Sequence, residues 1–553
     1  MTSPLAGLPV PASQLIDVTK LISAYYSEIP DSHIPEQAVK FGTSGHRGCS
    51  LDKSFNETHI QAICQAICEY RAQHGISGPL FLGIDTHALS APAMATALEV
   101  LAANGVEVMI AANNEYTPTP AVSFAILKHN NRRKMRLADG IVITPSHNPP
   151  RYGGIKYNLP NGGPAHTKAT SSIEVRANQI MKNHLSNVSR ISFDRALNAD
   201  TTHEYDFLNS YVSELDRVVN MAAIHNAGIR MGVDPLGGAG THYWPKIAEH
   251  YKLDLTITSQ VIDPTFRFMT ADWDGQIRMD PSSPYAMAGL IKMKDEFDIA
   301  FACDTDYDRH GIITPGCGLL PANHYLAVAL HYLFAYRPQW NKKLQVGKTV
   351  VTTQLIDLIC KRIHHEVLEM PVGFKWFATG LFDETMAFGG EESAGACFLR
   401  MDGRVWTTDK DGIVPALLSA EISATTEQDP GAMFRAMTVE FGTPFEDRIE
   451  APASRAQMKI LNDYDPEQLR HMQIAGDKID NVMSVAPGNG MPIGGFKVVM
   501  EGSWFAVRPS GTEAIYKIYA ESFKGADHLE KILLDAKWIV DEIFRSETVT
   551  VAA

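Results

Sequence analysis

Three aspartates at alternate positions are the strongest chemical signal in the sequence. Asp304, Asp306 and Asp308 follow the apolar run Ile299–Cys303, which predicts a buried strand. In extended backbone, alternate side chains point to one side, so the carboxylates should converge and repel one another. A hard cation relieves that repulsion, and oxygen ligands favour Mg²⁺ over Zn²⁺. An EF-hand is excluded, since Gly311 is at loop position 8. The alternative, a solvated acidic turn, fits poorly after a buried strand.

A second loop, Thr144–Pro150, leaves a short apolar strand and carries Ser146 beside His147. Open α/β sheets bind ligands at the carboxyl ends of their parallel strands, where this loop is expected to lie. Adjacent side chains rarely form a productive nucleophile–base pair, and the sequence has no G-x-S-x-G elbow here. Hydrolase chemistry is therefore not expected, and a simple turn rich in proline and asparagine is the alternative.

Two further loops suit sugar and phosphate groups. Gly389–Gly395, the candidate sugar loop, carries Glu391 and Ser393, whose oxygens can accept hydrogen bonds from sugar hydroxyls. A turn with solvated acids is the alternative. Residues 508–513 read Arg-Pro-Ser-Gly-Thr-Glu, and this set can cradle a phosphate or form a hairpin turn. Residues 40–48 look like a phosphate loop but lack the G-x-x-x-x-G-K-[ST] spacing, so no nucleotide site is predicted.

The elements that must position these loops alternate between strand and helix through about residue 440. That rhythm predicts βαβ units and mainly parallel sheets, in three blocks that share one plan. In each block a short apolar strand runs into one of the polar loops, and in the third block a further strand is predicted at 349–353. The last hundred residues differ, because strands predicted at 496–500, 503–507 and 514–520 are followed by an amphipathic helix. We expect a hinge at residues 428–448.

Composition narrows the class of protein. The chain has 553 residues with Lys+Arg 49 against Asp+Glu 63, and the net charge of −14 disfavours wholesale binding to nucleic acid or anionic membranes. The longest apolar run, Tyr325–Tyr336, is too short to span a bilayer, and the first 20 residues show no secretory pattern. Seven cysteines without C-x-x-C spacing indicate reduced thiols and a cytoplasmic protein.

In this order, the serine, aspartate, G-E-E-S and R-P-S-G-T loops resemble those of the α-D-phosphohexomutase superfamily, most of all its bacterial phosphoglucomutases. The resemblance implies an α/β fold of three similar mixed or parallel-sheet α/β domains plus a smaller C-terminal α+β domain around a central cleft. The expected division is an N-terminal arm at 1–37 and domains at 38–203, 204–320, 321–445 and 446–553.

The resemblance also assigns roles to residues. Ser146 would be a phosphoserine, and Asp304, Asp306 and Asp308 would bind Mg²⁺ together with it. The reacting phosphoryl group would be surrounded by Arg47, His147 and Arg309, and Lys156 matches a family lysine proposed in acid/base work. The substrate would be held by Gly373, Lys375, Glu391, Ser393, Arg508, Ser510, Gly511 and Thr512. Lys156 is expected to act as a general base, with a lowered pKa.

The activity implied is an isomerase reaction that interconverts α-D-glucose 1-phosphate and glucose 6-phosphate. It would need one Mg²⁺ per chain and glucose 1,6-bisphosphate as primer, and the protein would be a monomer or homodimer. A phosphomannomutase or phosphoglucosamine mutase is the nearest alternative. A catalytically silent phosphosugar-binding or scaffold protein and a Mg²⁺-dependent phosphatase are alternatives from other classes.

Overall fold

The computed structural model describes residues 2–42, 45–510 and 514–551, with side chains up to residue 546. Four β-sheets follow one another along this part of the chain. None of the helices in these ranges is long and apolar enough to cross a membrane. The domain boundaries stay a prediction, but the sheets show how the candidate loops are positioned.

The first sheet has seven strands in the order β1-β2-β6-β5-β3-β4-β7. Its elements are α1 (Val18–Ser27), β1 (Phe41–Gly42), β2 (Gly45–Gly48), α2 (Glu57–Gln73), β3 (Leu80–Ile84), α3 (Ser90–Ala103), β4 (Val108–Ala111), α4 (Thr119–Asn130), β5 (Asp139–Ile143), β6 (Gly153–Asn158), α5 (Thr167–Lys182), α6 (Phe193–Leu197) and β7 (Thr202–Tyr205). Strands β5, β3, β4 and β7 are parallel, whereas β6, β2 and β1 add antiparallel. Because β3 and β5 pair up to Ile84 and Ile143, the residues after them share one edge.

The second sheet has five strands in the order β12-β11-β10-β8-β9. Its elements are α7 (Phe207–Val212), α8 (Met221–Ala227), β8 (Met231–Asp234), α9 (Tyr243–Tyr251), β9 (Leu255–Ile257), α10 (Ala288–Lys292), β10 (Ile299–Cys303), β11 (His310–Thr314) and β12 (Gly318–Leu319). Strands β9, β8 and β10 are parallel, and β10 then pairs antiparallel with β11. The aspartate loop is the connection between β10 and β11, which are both fully buried.

The third sheet has four strands in the order β14-β13-β15-β16. Its elements are α11 (Ala322–Tyr336), β13 (Gln345–Thr349), α12 (Leu355–Ile363), β14 (Val367–Met370), α13 (Ala378–Phe382), β15 (Met386–Glu391), β16 (Gly395–Phe398), α14 (Ile413–Thr426) and α15 (Pro430–Phe441). The final pair, β15 and β16, is antiparallel, and it ends at the G-E-E-S loop. In each α/β sheet a candidate loop thus connects two antiparallel strands: β5 to β6, β10 to β11 and β15 to β16.

The fourth sheet is wholly antiparallel, with six strands in the order β17-β22-β21-β20-β19-β18. Its elements are β17 (Phe445–Pro452), α16 (Arg455–Asp463), β18 (Gln473–Ile474), β19 (Asp477–Val485), β20 (Pro492–Met500), β21 (Ser503–Pro509), β22 (Ile515–Ser522) and α17 (Ala526–Val551). Ile532, Ala536 and Val540 of α17 are buried in its core. The R-P-S-G-T loop connects β21 to β22.

The segment before β1 joins the first two sheets. Ala6 and Pro9 form isolated bridges with Ala271 and Thr270, which lie between β9 and β10 of the second sheet. Farther along, Tyr25 of α1 is fully buried in the core of the first sheet, and its hydroxyl donates to Thr96 Oγ1 at 2.9 Å. The N-terminal arm expected at residues 1–37 therefore contacts both sheets.

The segment 428–448, expected to be a hinge, contains α15, because Asp429 accepts hydrogen bonds from the first free amides and Pro430 suits the first helical position. The hinge itself stays a prediction. One local expectation was wrong. A strand expected at 349–353 is a turn, in which the Thr349 and Thr352 hydroxyls hydrogen-bond each other at 2.8 Å. β-branched residues favour strands, but here they pair locally after β13 ends.

We predict that His59 makes the protein less stable in acid. Its Nδ1 accepts from Asn56 N–H at 3.0 Å and its Nε2 donates to the Gln37 carbonyl at 2.8 Å, so the ring is held neutral. Burial, with His46 beside it, lowers the pKa of His59 from 6.5 to about 3. As pH falls below 6.5, His59 binds a proton in the unfolded chain but not in the folded chain, so the free energy of unfolding falls.

The measurement is the urea midpoint at pH 7 and pH 4.5. Between pH 6.5, the pKa of an unfolded histidine, and pH 4.5, one such group lowers the free energy of unfolding by about 2.7 kcal/mol. His59→Gln can keep both hydrogen bonds without the titration, so its midpoint should drop less than that of the unchanged protein. The matched control is His203→Gln, at a side chain that is 46% exposed. Equal drops in both variants would contradict the prediction.

Candidate functional site

Ser146 lies against the aspartate loop of the second sheet. It is buried, and its Oγ donates to Asp304 Oδ2 at 2.8 Å. Its backbone is left-handed, with φ of 60°, and its N–H donates to Thr144 Oγ1 at 2.8 Å. The turn after β5 therefore directs the hydroxyl across to the carboxylates rather than along its own strand.

The three aspartates converge as the spacing predicts. Carboxylate oxygens of Asp304, Asp306 and Asp308 lie within 4.8 Å of one another, and all three residues are buried. The loop curls around Asp304, whose Oδ1 accepts from the backbone N–H groups of Asp308 and Arg309 at 3.0 Å. The cluster follows β10 directly, so a rigid strand fixes its position.

Charge repulsion in this cluster shifts the pKa values of its carboxyl groups. Burial, and then the Asp306 and Asp308 carboxylates, raise the pKa of Asp304 well above its ordinary value. Burial would also raise the pKa of Asp308, but the Lys156 and Lys410 ammonium groups hold it below the ordinary range. The cluster is therefore stable as a set of anions only with cations beside it.

The donor set fits a magnesium ion. Asp306 Oδ1 and Asp308 Oδ1 are buried and make no hydrogen bond within the described part of the chain. The contributed atoms are all carboxylate oxygens, the ligands that hard divalent cations prefer. The residues that would hold the ion are the three aspartates, with Ser146 at their edge.

Lys156 lies on β6, next to β5, and points into the cluster. Its Nζ contacts Asp306 Oδ2 at 2.5 Å and Asp308 Oδ2 at 2.8 Å. Burial lowers the pKa of Lys156, but the two carboxylates outweigh burial and raise it above the ordinary value. The expectation of a lowered pKa was wrong, because sequence alone did not show how many carboxylates the ammonium would meet.

Lys410 belongs to the site and was missed by the sequence reasoning. Its Nζ lies 3.2 Å from Asp308 Oδ2 and 3.8 Å from Glu391 Oε2, so it links the aspartate loop to the sugar loop. The Lys410 side chain occupies the space beside Gly395, where a Cβ would lie 2.2 Å from it. The available signal was a lysine between two aspartates, in the loop after the third sheet.

Two arginines and a histidine surround the serine. Burial lowers the pKa of Arg47, and Arg309 nearby lowers it further, whereas Asp306 raises it. Arg309 Nη1 lies 3.6 Å from Asp280 Oδ2, and His147 Nε2 lies 3.9 Å from the same oxygen. Burial, and then Arg309, lower the pKa of His147 well below its ordinary value, so this imidazole is neutral. Asp280 is a further neighbour that the sequence did not reveal.

The first and second sheets are joined directly at the site. Thr119, at the start of α4, donates from its hydroxyl to Asp306 Oδ2 at 2.7 Å and from its backbone to Asp306 O at 2.9 Å. Thr86 Oγ1 donates to the Gly237 carbonyl at 2.8 Å. These contacts fix the serine-bearing sheet against the aspartate-bearing sheet.

The sugar loop presents one buried acid. Glu391 ends β15, and its Oε1 accepts from Gly373 N–H at 2.9 Å, which joins the two predicted sugar-contacting loops. Burial, opposed by Lys410 and assisted by Glu392, raises the pKa of Glu391 to about 7. Ser393 and Lys375 are half-buried, and burial lowers the pKa of Lys375.

The structure describes part of the R-P-S-G-T loop. Arg508 Nε donates to the Ile493 carbonyl at 3.0 Å, and Ser510 N–H donates to the Ile515 carbonyl at 2.8 Å. Gly511 and Thr512 lie outside the described residues. Burial and then Glu392 raise the pKa of Tyr519 to about 12, while Arg448 and Arg508 lower it. Arg448 and Arg508 of the fourth sheet therefore lie near Glu392 of the sugar loop.

Residues 38–184, 209–317 and 321–441 match, in this order, the alpha/beta/alpha domains I, II and III of phosphoglucomutase/phosphomannomutase. Over 542 residues the chain is 56% identical to a phosphoglucomutase of Komagataeibacter xylinus, and the match covers 98% of each chain. The chain belongs to the phosphoglucomutase/phosphomannomutase family. A more distant relative, phosphoglucomutase 1 of Drosophila melanogaster, is 29% identical over 68% of each chain.

Solved structures show the same fold. The open form of parafusin, a phosphoglucomutase from Paramecium, has a TM-score of 0.73 at 18% identity and covers 94% of this chain and 96% of its own. A family protein of Burkholderia thailandensis has a TM-score of 0.68 at 20% identity, covering 91% and 98%. The predicted fold class is confirmed: three α/β domains with mixed sheets and a smaller fourth domain with an antiparallel sheet.

We predict that the aspartate cluster binds a divalent cation in the free protein. Mn²⁺, followed by its electron paramagnetic resonance signal, should bind with about one site per chain because the oxygen set suits it. Asp306→Asn removes one charge and should weaken binding at least tenfold. Asp272→Asn is the matched control, a buried carboxylate of the second-sheet region bonded to Ser283 Oγ at 2.5 Å. Equal affinity in the two variants would locate the ion elsewhere.

Proposed function

We propose that the protein is a phosphoglucomutase that interconverts α-D-glucose 1-phosphate and glucose 6-phosphate. One observation carries the proposal: the Ser146 hydroxyl is 2.8 Å from Asp304, inside a cluster of three buried carboxylates. The 56% identity to a phosphoglucomutase over nearly the whole chain supports glucose as the sugar. A phosphoserine at Ser146 and glucose 1,6-bisphosphate would be the intermediates.

The charges around Ser146 explain why this cleft can hold such anions. A phosphoserine brings about −1.5 to −2 charges, and a sugar phosphate brings a similar amount. Arg47, Arg309 and Lys410 lie around the cluster and offset this charge locally, although the whole chain is acidic. When bound at the aspartates, Mg²⁺ would supply a Lewis acid that withdraws charge from the transferring phosphoryl group.

The proposed transfer breaks the bond between Ser146 Oγ and phosphorus and forms a bond from phosphorus to a hydroxyl oxygen of the sugar monophosphate. The hydroxyl proton passes to a base of the site, and Ser146 Oγ takes up a proton as its bond to phosphorus breaks. The bisphosphate then turns over and returns its other phosphoryl group to Ser146 Oγ, whose proton passes to the sugar oxygen that leaves. Arg309 and Arg47 hold the transferring group, Glu391 and Ser393 orient the sugar, and Arg508 and Ser510 hold the second phosphate. Positioning and electrostatics provide most of the acceleration in such a reaction.

His147 is a second candidate for the proton transfer, because its Nδ1 lies 3.4 Å from Ser146 Oγ. Lys156 is charged and paired with two carboxylates, so its proposed role becomes charge compensation. Seven free cysteines, buried except Cys317, fit the proposed cytoplasmic location. A monomer or homodimer remains the proposed assembly.

We predict that incubation with glucose 1,6-bisphosphate adds one phosphoryl group to the protein, and that this group maps to Ser146. Ser146→Ala should gain none and should lose at least about 10³-fold in kcat, because the covalent route is removed. Intact mass and peptide mapping measure the first, and a coupled glucose 6-phosphate assay measures the second. Ser213→Ala, in the second-sheet region, is the control. Near-normal turnover in Ser146→Ala would disprove the covalent role.

We further predict a preference for glucose. Turnover of glucose 1-phosphate should exceed that of mannose 1-phosphate and glucosamine 1-phosphate, compared as kcat/KM. Faster turnover of either competitor would favour the corresponding mutase. Steady release of inorganic phosphate would instead indicate a phosphatase, in which water intercepts the phosphoserine, and no turnover of any sugar would indicate a binding protein.

A further inference from the structure

A second buried polar cluster lies behind the serine loop, and the mechanism above does not use it. Asp85 follows β3, and Thr144 follows the neighbouring parallel strand β5, so the two meet at one sheet edge. Asp85, His87, Ser90 and Thr144 are all 2% exposed or less. Buried polar groups at this density are costly unless each is satisfied, which makes their arrangement informative.

Asp85 is the centre of this cluster. Its Oδ1 accepts from Ser90 Oγ at 2.5 Å and from His87 N–H at 3.0 Å. Its Oδ2 accepts from Thr144 Oγ1 at 2.6 Å and is 2.8 Å from His87 Nδ1. Burial would raise the pKa of Asp85, but His87 and the hydroxyl donors lower it, so the carboxylate is ionised and accepts all four bonds.

The cluster contacts the serine loop on both sides of Ser146. On one side, the Thr144 hydroxyl donates to Asp85 and accepts from Ser146 N–H at 2.8 Å. On the other side, His87 Nε2 lies 3.0 Å from the Asn148 carbonyl, to which it donates when both ring nitrogens carry a proton. Because an ionised carboxylate orients Thr144, its oxygen lone pair is directed at the Ser146 amide.

We propose that Asp85 and His87 are positioning residues, which hold residues 144–148 from both sides and so fix the direction of the Ser146 Oγ. The inference rests on the proposed function, since it names what prepares the same serine for transfer. Ser146 has φ of 60°, a left-handed conformation that costs free energy in a residue other than glycine. The Asp85–Thr144–Ser146 chain of hydrogen bonds helps to hold it.

The experiment compares a matched pair at Thr144. Thr144→Val keeps the shape but removes the hydroxyl, whereas Thr144→Ser keeps the hydroxyl and loses a methyl group. We expect Thr144→Val and Asp85→Asn to lower kcat for glucose 1-phosphate by about 100-fold, the size expected for a small misplacement of the reacting group, with KM changed less than twofold. Thr144→Ser should retain kcat within about threefold of the unchanged protein.

Asp139→Asn is the control for loss of a buried carboxylate. Asp139 lies at the opposite end of β5, is fully buried, and accepts from Tyr157 Oη at 2.5 Å. It should lower the unfolding temperature but leave kcat unchanged. If Thr144→Val or Asp85→Asn keeps kcat, or if all variants lose activity in proportion to their unfolding temperatures, the positioning role is overturned.

Hydrogen exchange of the Ser146 amide tests the same idea without turnover. Protection should be retained in Thr144→Ser and Asp139→Asn and lost in Thr144→Val and Asp85→Asn. If the unchanged protein shows no mutase activity, the proposed function fails, and this exchange pattern still decides whether Asp85 orders the loop. Unaltered protection in Asp85→Asn would overturn the inference even if activity were lost.

Discussion

The mutual repulsion of three buried carboxylates is the constraint on which the rest of the structure depends. Asp304, Asp306 and Asp308 are fixed by β10 within 4.8 Å of one another, away from bulk water. Such a cluster is tolerable only if cations reach it from several directions. Lys156 comes from the first sheet, Arg309 from the loop itself and Lys410 from the third-sheet region. The arrangement of the sheets can be understood as the means of delivering these charges.

The same geometry serves the substrate. Each candidate loop follows or links strands at a sheet edge, so backbone that is already hydrogen-bonded sets the position of every reactive side chain. Thr119 and Thr86 attach the first sheet to the second, and Lys410 bridges the second and third. A site assembled in this way requires little rearrangement of its own groups when charge develops on the transferring phosphoryl group.

Local patterns in the sequence predicted much of this. The alternation Asp304, Asp306, Asp308 indicated the cluster, and β10 has the bounds that its apolar run suggested. Patterns failed where distant residues decide the outcome. Lys410 and Asp280 join the site through contacts between loops far apart in sequence, and the pKa of Lys156 depends on carboxylates about 150 residues away. The strand predicted at 349–353 was wrong for a different reason, since the hydroxyls of Thr349 and Thr352 hydrogen-bond each other and the chain turns there.

The beginning of the chain acquires significance from where it attaches. Bridges at Ala6 and Pro9 tie it to the second-sheet region, and Tyr25 anchors it in the first core. The proposed nucleophile Ser146 lies in the first of these bodies and the aspartate cluster in the second, so this connection helps to fix the distance between them although it contributes no side chain to the site. Chain ends are ordinarily where trimming by proteases is harmless. In this protein, a cut before α1 would leave every candidate site residue in place and would still weaken the connection between the first and second sheets.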